Sequence, residues 1–88
     1  MKGFHLLISS PDGNVFSGES VFLAIRGAEG DLAVMAGHAP FTTSVQPCVC
    51  RVEFDDGEEK FFDIGGGLLT VADNKVTLLS SSCKEKKQ

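Results

Sequence analysis

The residues best suited to chemistry lie between positions 27 and 40, which hold two carboxylates and a histidine. His38 can act as a general base, and Asp31 or Glu29 could orient its imidazole. No serine or cysteine occupies a recognisable nucleophile motif, and spacing alone does not place His38 beside either carboxylate. We therefore predict no catalytic residues, and we keep a small hydrolase that uses His38 as an alternative hypothesis.

Three cysteines, Cys48, Cys50 and Cys83, are the other group with metal or redox potential. Their odd number, in a chain without an export signal, predicts reduced thiols. A Cys-x-Cys pair with two distant histidines does not match the ligand spacing of a structural zinc site. We predict no metal site, and interpret these cysteines as small apolar residues of strands.

A glycine triplet at residues 65–67 raises the question of a phosphate site. Such a cradle needs a helix N-terminus immediately after the glycines, whereas a β-prone segment follows here. The Gly-x-x-x-x-Gly-Lys phosphate loop is also missing. We predict no cofactor, and a bend or bulge where two backbones approach closely.

Composition excludes several classes of partner. The 88 residues suffice for one domain, and the net charge of −4 argues against nucleic-acid binding. The only basic cluster, Lys84, Lys86 and Lys87, is close to the C-terminus. No apolar run approaches the length of a membrane span, and the N-terminus lacks a signal-peptide pattern. We expect a soluble cytoplasmic chain, or one attached to a membrane only through partners.

Alternating apolar residues predict strands along nearly the whole chain. Phe4, Leu6 and Ile8 alternate with their neighbours, and residues 20–26 carry apolar side chains on both faces. Coverage of both faces is typical of a closed β structure. We predict an all-β fold of residues 1–80, a flattened sandwich or barrel of about eight to ten short, mostly antiparallel strands. Residues 81–88 are predicted to be a polar, flexible tail.

The sequence predicts a tight hairpin turn and a longer presented loop. Asp56-Gly57 is the strongest hairpin signal, and as a two-residue type I′ turn it would place Glu53 opposite Lys60. Residues 27–40 combine an acidic turn, a short apolar strand and a Gly-His-Ala-Pro corner, so we interpret them as a presented loop. A free-standing binding module that grips a ligand through this loop is one hypothesis for the function.

Short motifs with specific spacing run through residues 3–80. They are Phe4-His5-Leu6, Pro11-Asp12-Gly13, residues 15–19, residues 27–32, Val34-Met35, Gly37-His38-Ala39-Pro40, residues 65–69 and residues 74–79. Together they closely resemble the N-terminal domain of the ε subunit of bacterial F-type ATP synthase, which is called δ in mitochondria. The resemblance implies a ten-stranded β-sandwich without catalytic residues, located at the foot of the rotor.

The resemblance also implies partners and a location. In the family this domain connects the γ subunit of the F1 complex to the c ring, so that torque from proton flow reaches the catalytic head. It lies on the cytoplasmic face of the bacterial inner membrane, attached through the complex. By position, the implied c-ring contacts are Glu29, Gly30 and Asp31, and the implied γ contacts are Ser10, His38 and Thr43.

Alternatives stay open for these residues. Glu29 and Asp31 could be solvated turn charges, and His38 a polar corner residue bonded only to its own loop. Most bacterial ε subunits continue into a two-helix domain that binds ATP in some species, whereas this sequence has no helix-forming segment after Ser80. It is either a naturally short subunit or a truncated one. We expect ATP binding and helix-mediated inhibition to be missing.

Overall fold

Ten β-strands and no helix make up residues 2–86, the part of the chain that the computed structural model describes. This confirms the predicted all-β fold. None of the described segments is a helix with the length and hydropathy needed to cross a bilayer. The strands are β1 (Phe4–Ser10), β2 (Gly13–Ser20), β3 (Phe22–Gly27), β4 (Gly30–Val34), β5 (Phe41–Val45), β6 (Cys48–Glu53), β7 (Glu59–Ile64), β8 (Gly67–Ala72), β9 (Lys75–Ser80) and β10 (Cys83–Lys86).

The strands form one sheet that curls on itself. Its order is β10-β7-β6-β3-β5-β8-β9-β1-β2, with β4 paired to β3 outside this path. All described pairings are antiparallel except β1 with β9, which agrees with the prediction of mostly antiparallel strands. The inward side chains of both halves of the sheet meet in one core. Its buried apolar residues are Phe4, Leu6, Ile8, Leu23, Ile25, Val34, Val45, Cys50, Val52, Phe62, Ile64, Leu69, Val71, Val76 and Leu78.

Aromatic side chains join the two ends of the sheet. The ring of Phe16, on β2, lies 5.7 Å from that of Phe54 and 5.9 Å from that of Phe62, between centroids. The Lys60 ammonium is 5.7 Å from the Phe16 centroid. β2 therefore packs onto the β6–β7 hairpin through side chains. β2 is continuous through residues 17–19.

The Asp-Gly hairpin exists, but its predicted register is wrong. Glu53 pairs with Glu59, and Lys60 pairs with Val52. The Gly57 amide donates to the Phe54 carbonyl at 2.9 Å, and Gly57 has φ +88°. This is a three-residue loop, residues 55–57, in which the glycine alone has positive φ. Arg51 lies 3.3 Å from Glu53 and 3.5 Å from Glu59, so it offsets the repulsion between the facing carboxylates.

The predicted tail contains a strand. β10 begins at Cys83 and pairs with β7, where the sequence prediction ended the fold at about Ser80. Lys60 and Glu85 approach within 3.9 Å across these strands. Charged residues are common both on exposed edge strands and in solvated tails. Composition alone therefore did not distinguish an edge strand from a flexible tail. The other tail positions, Lys87 and Gln88, lie outside the described residues, as does Met1.

The glycine triplet is a site of close backbone approach, as predicted. A Cβ atom on Gly67 would overlap the Leu79 carbonyl oxygen and lie 2.8 Å from the Ser80 Cα. A Cβ on Gly65 would collide with the Ser81 hydroxyl. The Gly65 amide donates to the Ser82 carbonyl, and the Ser81 amide donates to the Gly66 carbonyl, both at 2.9 Å. These backbone contacts guide the chain from β9 into β10.

Because Cys50 is buried, the fold is expected to lose stability at alkaline pH. Burial, with the neighbouring Cys48 and Cys83, raises the pKa of the Cys50 thiol from 9.0 to about 12. The folded chain therefore keeps a proton that the unfolded chain releases above about pH 9. The resulting stabilisation is complete below that pH, and is lost as the pH rises toward 12.

We expect Cys50→Ala to reduce this pH dependence. Between pH 8 and pH 10 the parent should lose about 1 kcal/mol more unfolding free energy than the variant. Urea titrations followed by circular dichroism, in the presence of a reducing agent, measure this difference. Equal losses in the two proteins would contradict the assignment to Cys50.

Candidate functional site

The acidic tip, which we define as Glu29, Gly30 and Asp31, lies at the turn between β3 and β4. Gly27 pairs with Gly30, so Ala28 and Glu29 form a two-residue turn. Gly30 has φ +122°, a region that favours glycine, and open space surrounds its Cα. All three tip residues are exposed. The tip is therefore a tight turn that presents the side chains of Glu29 and Asp31 to solvent.

Only one carboxylate of the tip is engaged within the domain. The Arg26 Nε donates to Asp31 Oδ1 at 3.0 Å, across the β3–β4 pair. This hydrogen bond raises the pKa of the Arg26 guanidinium. No ion pair involves Glu29 among residues 2–86. Asp31 is therefore a solvent-exposed turn charge that also forms a surface ion pair with Arg26, and Glu29 has no such partner among the described residues.

The His38 loop, residues 35–40, connects β4 to β5. The His38 amide donates to the Met35 carbonyl at 3.2 Å, and the ring Nδ1 lies 2.8 Å from the Ala39 carbonyl. That contact requires a proton on Nδ1, which leaves Nε2 of the neutral ring as an acceptor. The imidazole centroid is 4.8 Å from that of Phe41. The ring is thus held in one orientation while remaining exposed.

This geometry does not form the catalytic pair considered for His38. Its Nδ1 is bonded to a backbone carbonyl and Asp31 is bonded to Arg26. Within the described residues, no group of three or more His, Cys, Asp or Glu side chains is placed to hold a metal ion. Residues 27–40 are also not a single loop, because β4 divides the acidic tip from the His38 loop.

Outward side chains of four strands form a surface without charge, which we call the uncharged face. Its members align in two rows of directly paired residues. Leu68 and Leu79 face each other across the β8–β9 pair and are 42% and 51% exposed. These two leucines form an exposed apolar pair at the centre of the face. The rows are Ser9, Leu79, Leu68 and Ser44, and Leu7, Thr77, Thr70 and Thr42.

The three implied γ contacts lie at different places around the uncharged face. Ser10 follows Ser9, at the end of β1 that pairs with the start of β2. Thr43 lies between Thr42 and Ser44 on β5, so its side chain points to the opposite side of the sheet, and it lines a 320 Å³ cavity beside the acidic tip. His38 is next to Phe41, at the start of β5. The structure therefore brings Thr43 to the tip, and separates Ser10 from the His38 loop.

Nearly the whole chain matches a known protein family. The family model described as "ATP synthase, Delta/Epsilon chain, beta-sandwich domain" matches residues 3–86, which include the tip, the His38 loop and every strand. The chain belongs to this family. The match confirms the resemblance drawn from the sequence motifs, and it extends the domain beyond residue 80 to include β10.

Curated relatives are ε chains of bacterial ATP synthases. The ε chain of Delftia acidovorans is 38% identical over 82 residues, which cover 93% of this chain and 59% of the relative. That of Polaromonas naphthalenivorans is 39% identical over a segment of the same length and coverage. This chain thus spans about 59% of the length of these ε chains.

Solved structures show the same fold. A chain in the mitochondrial ATP synthase of Euglena gracilis superposes with a TM-score of 0.89 at 24% identity, over 94% of this chain and 53% of that one. A chain in the central stalk and c-ring structure of Tetrahymena thermophila gives a TM-score of 0.77 at 13% identity, over 91% and 64%. The β-sandwich of the family is therefore kept at very low sequence identity.

Proposed function

We propose that this chain is a non-catalytic central-stalk subunit of an F-type ATP synthase that couples the γ subunit to the c ring during proton-driven ATP synthesis. It acts at the cytoplasmic face of the bacterial inner membrane, where it is attached through the complex. The observation that carries the proposal is the family match over residues 3–86. The acidic tip and the uncharged face, two exposed surfaces of different chemistry, support it.

The acidic tip is the surface suited to the c ring. Glu29, Gly30 and Asp31 form an exposed tight turn, and Glu29 is available to pair with a basic residue of a ring loop. Such an exposed pair contributes more to orientation than to affinity. Since Asp31 is already paired with Arg26, we assign the electrostatic contact with the ring to Glu29 and a shape contact to the rest of the tip.

The uncharged face is the surface suited to the γ subunit. Two adjacent leucines surrounded by serine and threonine give an apolar centre with a polar border, which is the usual anatomy of a protein interface. Of the γ contacts implied by the family resemblance, Ser10 directly follows a member of this face, whereas His38 and Thr43 would contact γ from outside it. A stalk subunit on this face would transmit torque through packing contacts, with few ion pairs involved.

A glycine substitution at the tip tests the proposed function. Gly30→Val forces a β-branched residue into positive φ, at a cost of about 1–3 kcal/mol, and changes the shape of the turn. We expect the variant to stay folded, to bind γ as the parent does, and to bind the c ring of the same organism about tenfold more weakly. Binding to detergent-solubilised ring measures this loss.

Gly57→Val is the matched control, because Gly57 also has positive φ with open space around it but lies in the β6–β7 loop. Its ring binding should equal that of the parent. Equal losses in the two variants would show a general effect of instability and contradict the ring contact. Recovery of the parent chain from membranes without γ would favour the free-standing binding module instead.

A further inference from the structure

Asn74 joins three segments that are distant in the sequence. Its side-chain oxygen accepts a hydrogen bond from the Gly37 amide at 2.8 Å. Its side-chain nitrogen donates to the Gly3 carbonyl at 3.2 Å, and its backbone carbonyl accepts from the His5 amide at 3.0 Å. One residue of the β8–β9 turn thus holds both the His38 loop and the start of the chain.

The turn by itself does not require asparagine at residue 74. Ala72 pairs with Lys75, and the two loop residues, Asp73 and Asn74, have φ of 52° and 59°. A tight turn of this kind favours glycine, asparagine or aspartate at both positions. Glycine at residue 74 would satisfy the backbone, but it would remove both side-chain hydrogen bonds. The amide group therefore has a role beyond the turn.

We infer that Asn74 is the positioning residue for the His38 loop. The functional part of this inference rests on the proposed contact between that loop and γ. Gly37, which Asn74 holds, has φ +81° and immediately precedes His38. The His38 loop has no strand partner of its own within residues 2–86. The hydrogen bond from Gly37 is thus the contact that ties this exposed loop to the β8–β9 turn.

The substitution Asn74→Gly isolates the side chain, because glycine keeps the positive φ of the turn. We expect exchange of the Gly37 amide proton in the isolated protein to accelerate about tenfold, as its hydrogen bond is lost. Binding of the γ subunit should weaken about threefold to tenfold, since a loosened loop must be ordered on binding.

Two further variants define the mechanism. Asn74→Asp keeps an acceptor for the Gly37 amide but loses the donor to Gly3, so it should retain slow exchange at Gly37 and bind γ like the parent. Asp73→Gly changes the neighbouring positive-φ residue, whose side chain makes none of these hydrogen bonds, and should also leave Gly37 exchange unchanged. Both variants separate loss of the hydrogen bond from a change in the turn.

Amide exchange at Gly37 tests whether Asn74 positions the His38 loop, and γ binding tests whether that position matters for the proposed function. Unchanged exchange in Asn74→Gly, or equal acceleration in Asp73→Gly, overturns the positioning role. Faster exchange in Asn74→Gly alone, with weaker γ binding, supports it in full. Faster exchange with unaltered γ binding overturns the link between this loop and γ. Failure of the parent chain to bind γ at all would count against the proposed function, whereas the exchange result would stand independently.

Discussion

Leu79→Arg is expected to weaken binding of the γ subunit about 100-fold while leaving the fold intact. Leu79 is half exposed at the centre of the uncharged face, beside Leu68, so arginine can extend into solvent in the free domain. In a complex on this face the guanidinium would be buried without a partner. Titration of γ, followed by calorimetry, measures the loss, and the melting temperature should stay within a few degrees of the parent's.

Val49→Arg is the matched control for this substitution. Val49 is 44% exposed, close to the 51% of Leu79, but it lies on β6, outside the four strands of the uncharged face. It should bind γ with the affinity of the parent. If both arginine variants lose affinity equally, or if neither does, the uncharged face is not the γ surface.

Gly67→Ala is expected to destabilise the domain by more than about 3 kcal/mol, because its added methyl group would overlap the Leu79 carbonyl oxygen. The obstacle is backbone within a paired strand, so β8 and β9 must separate to make room. For a domain of this size, the corresponding fall in melting temperature is at least about 12 °C. Circular dichroism during thermal unfolding measures it.

Gly66→Ala provides the comparison within the same triplet. A Cβ at Gly66 would lie 3.5 Å from the Val45 carbonyl oxygen, an ordinary contact. We expect a change of less than about 1 kcal/mol. A similar cost at both positions would show that the triplet matters through chain flexibility, and would contradict the role of close backbone approach.

The strands were predictable because their signals are local. Alternation of apolar residues follows directly from the period of a β-strand, and the glycine triplet stood out because a β-prone segment follows it. The Asp-Gly hairpin was also visible, but its register was not. A two-residue loop needs positive φ at both of its residues, whereas in the observed three-residue loop only Gly57 has positive φ. This difference of one residue in loop length changes every cross-strand pair of the hairpin.

The surfaces could not be predicted in the same way, because their residues meet only across strands. Leu68 and Leu79 are eleven positions apart and become neighbours through the β8–β9 register. Arg26 reaches Asp31 only once the turn at Ala28 and Glu29 is fixed at two residues. The signal that could have suggested Asn74 was its place in a motif shared with the family, but its partners Gly3 and Gly37 are remote in sequence.

The most direct test asks whether this chain joins γ to the c ring. The c ring of the same organism is immobilised in detergent, and the γ retained on it is measured with and without the chain. We expect γ to be retained much better when the chain is present, and Gly30→Val and Leu79→Arg each to abolish most of the gain. Retention of γ that does not depend on the chain would contradict the coupling role.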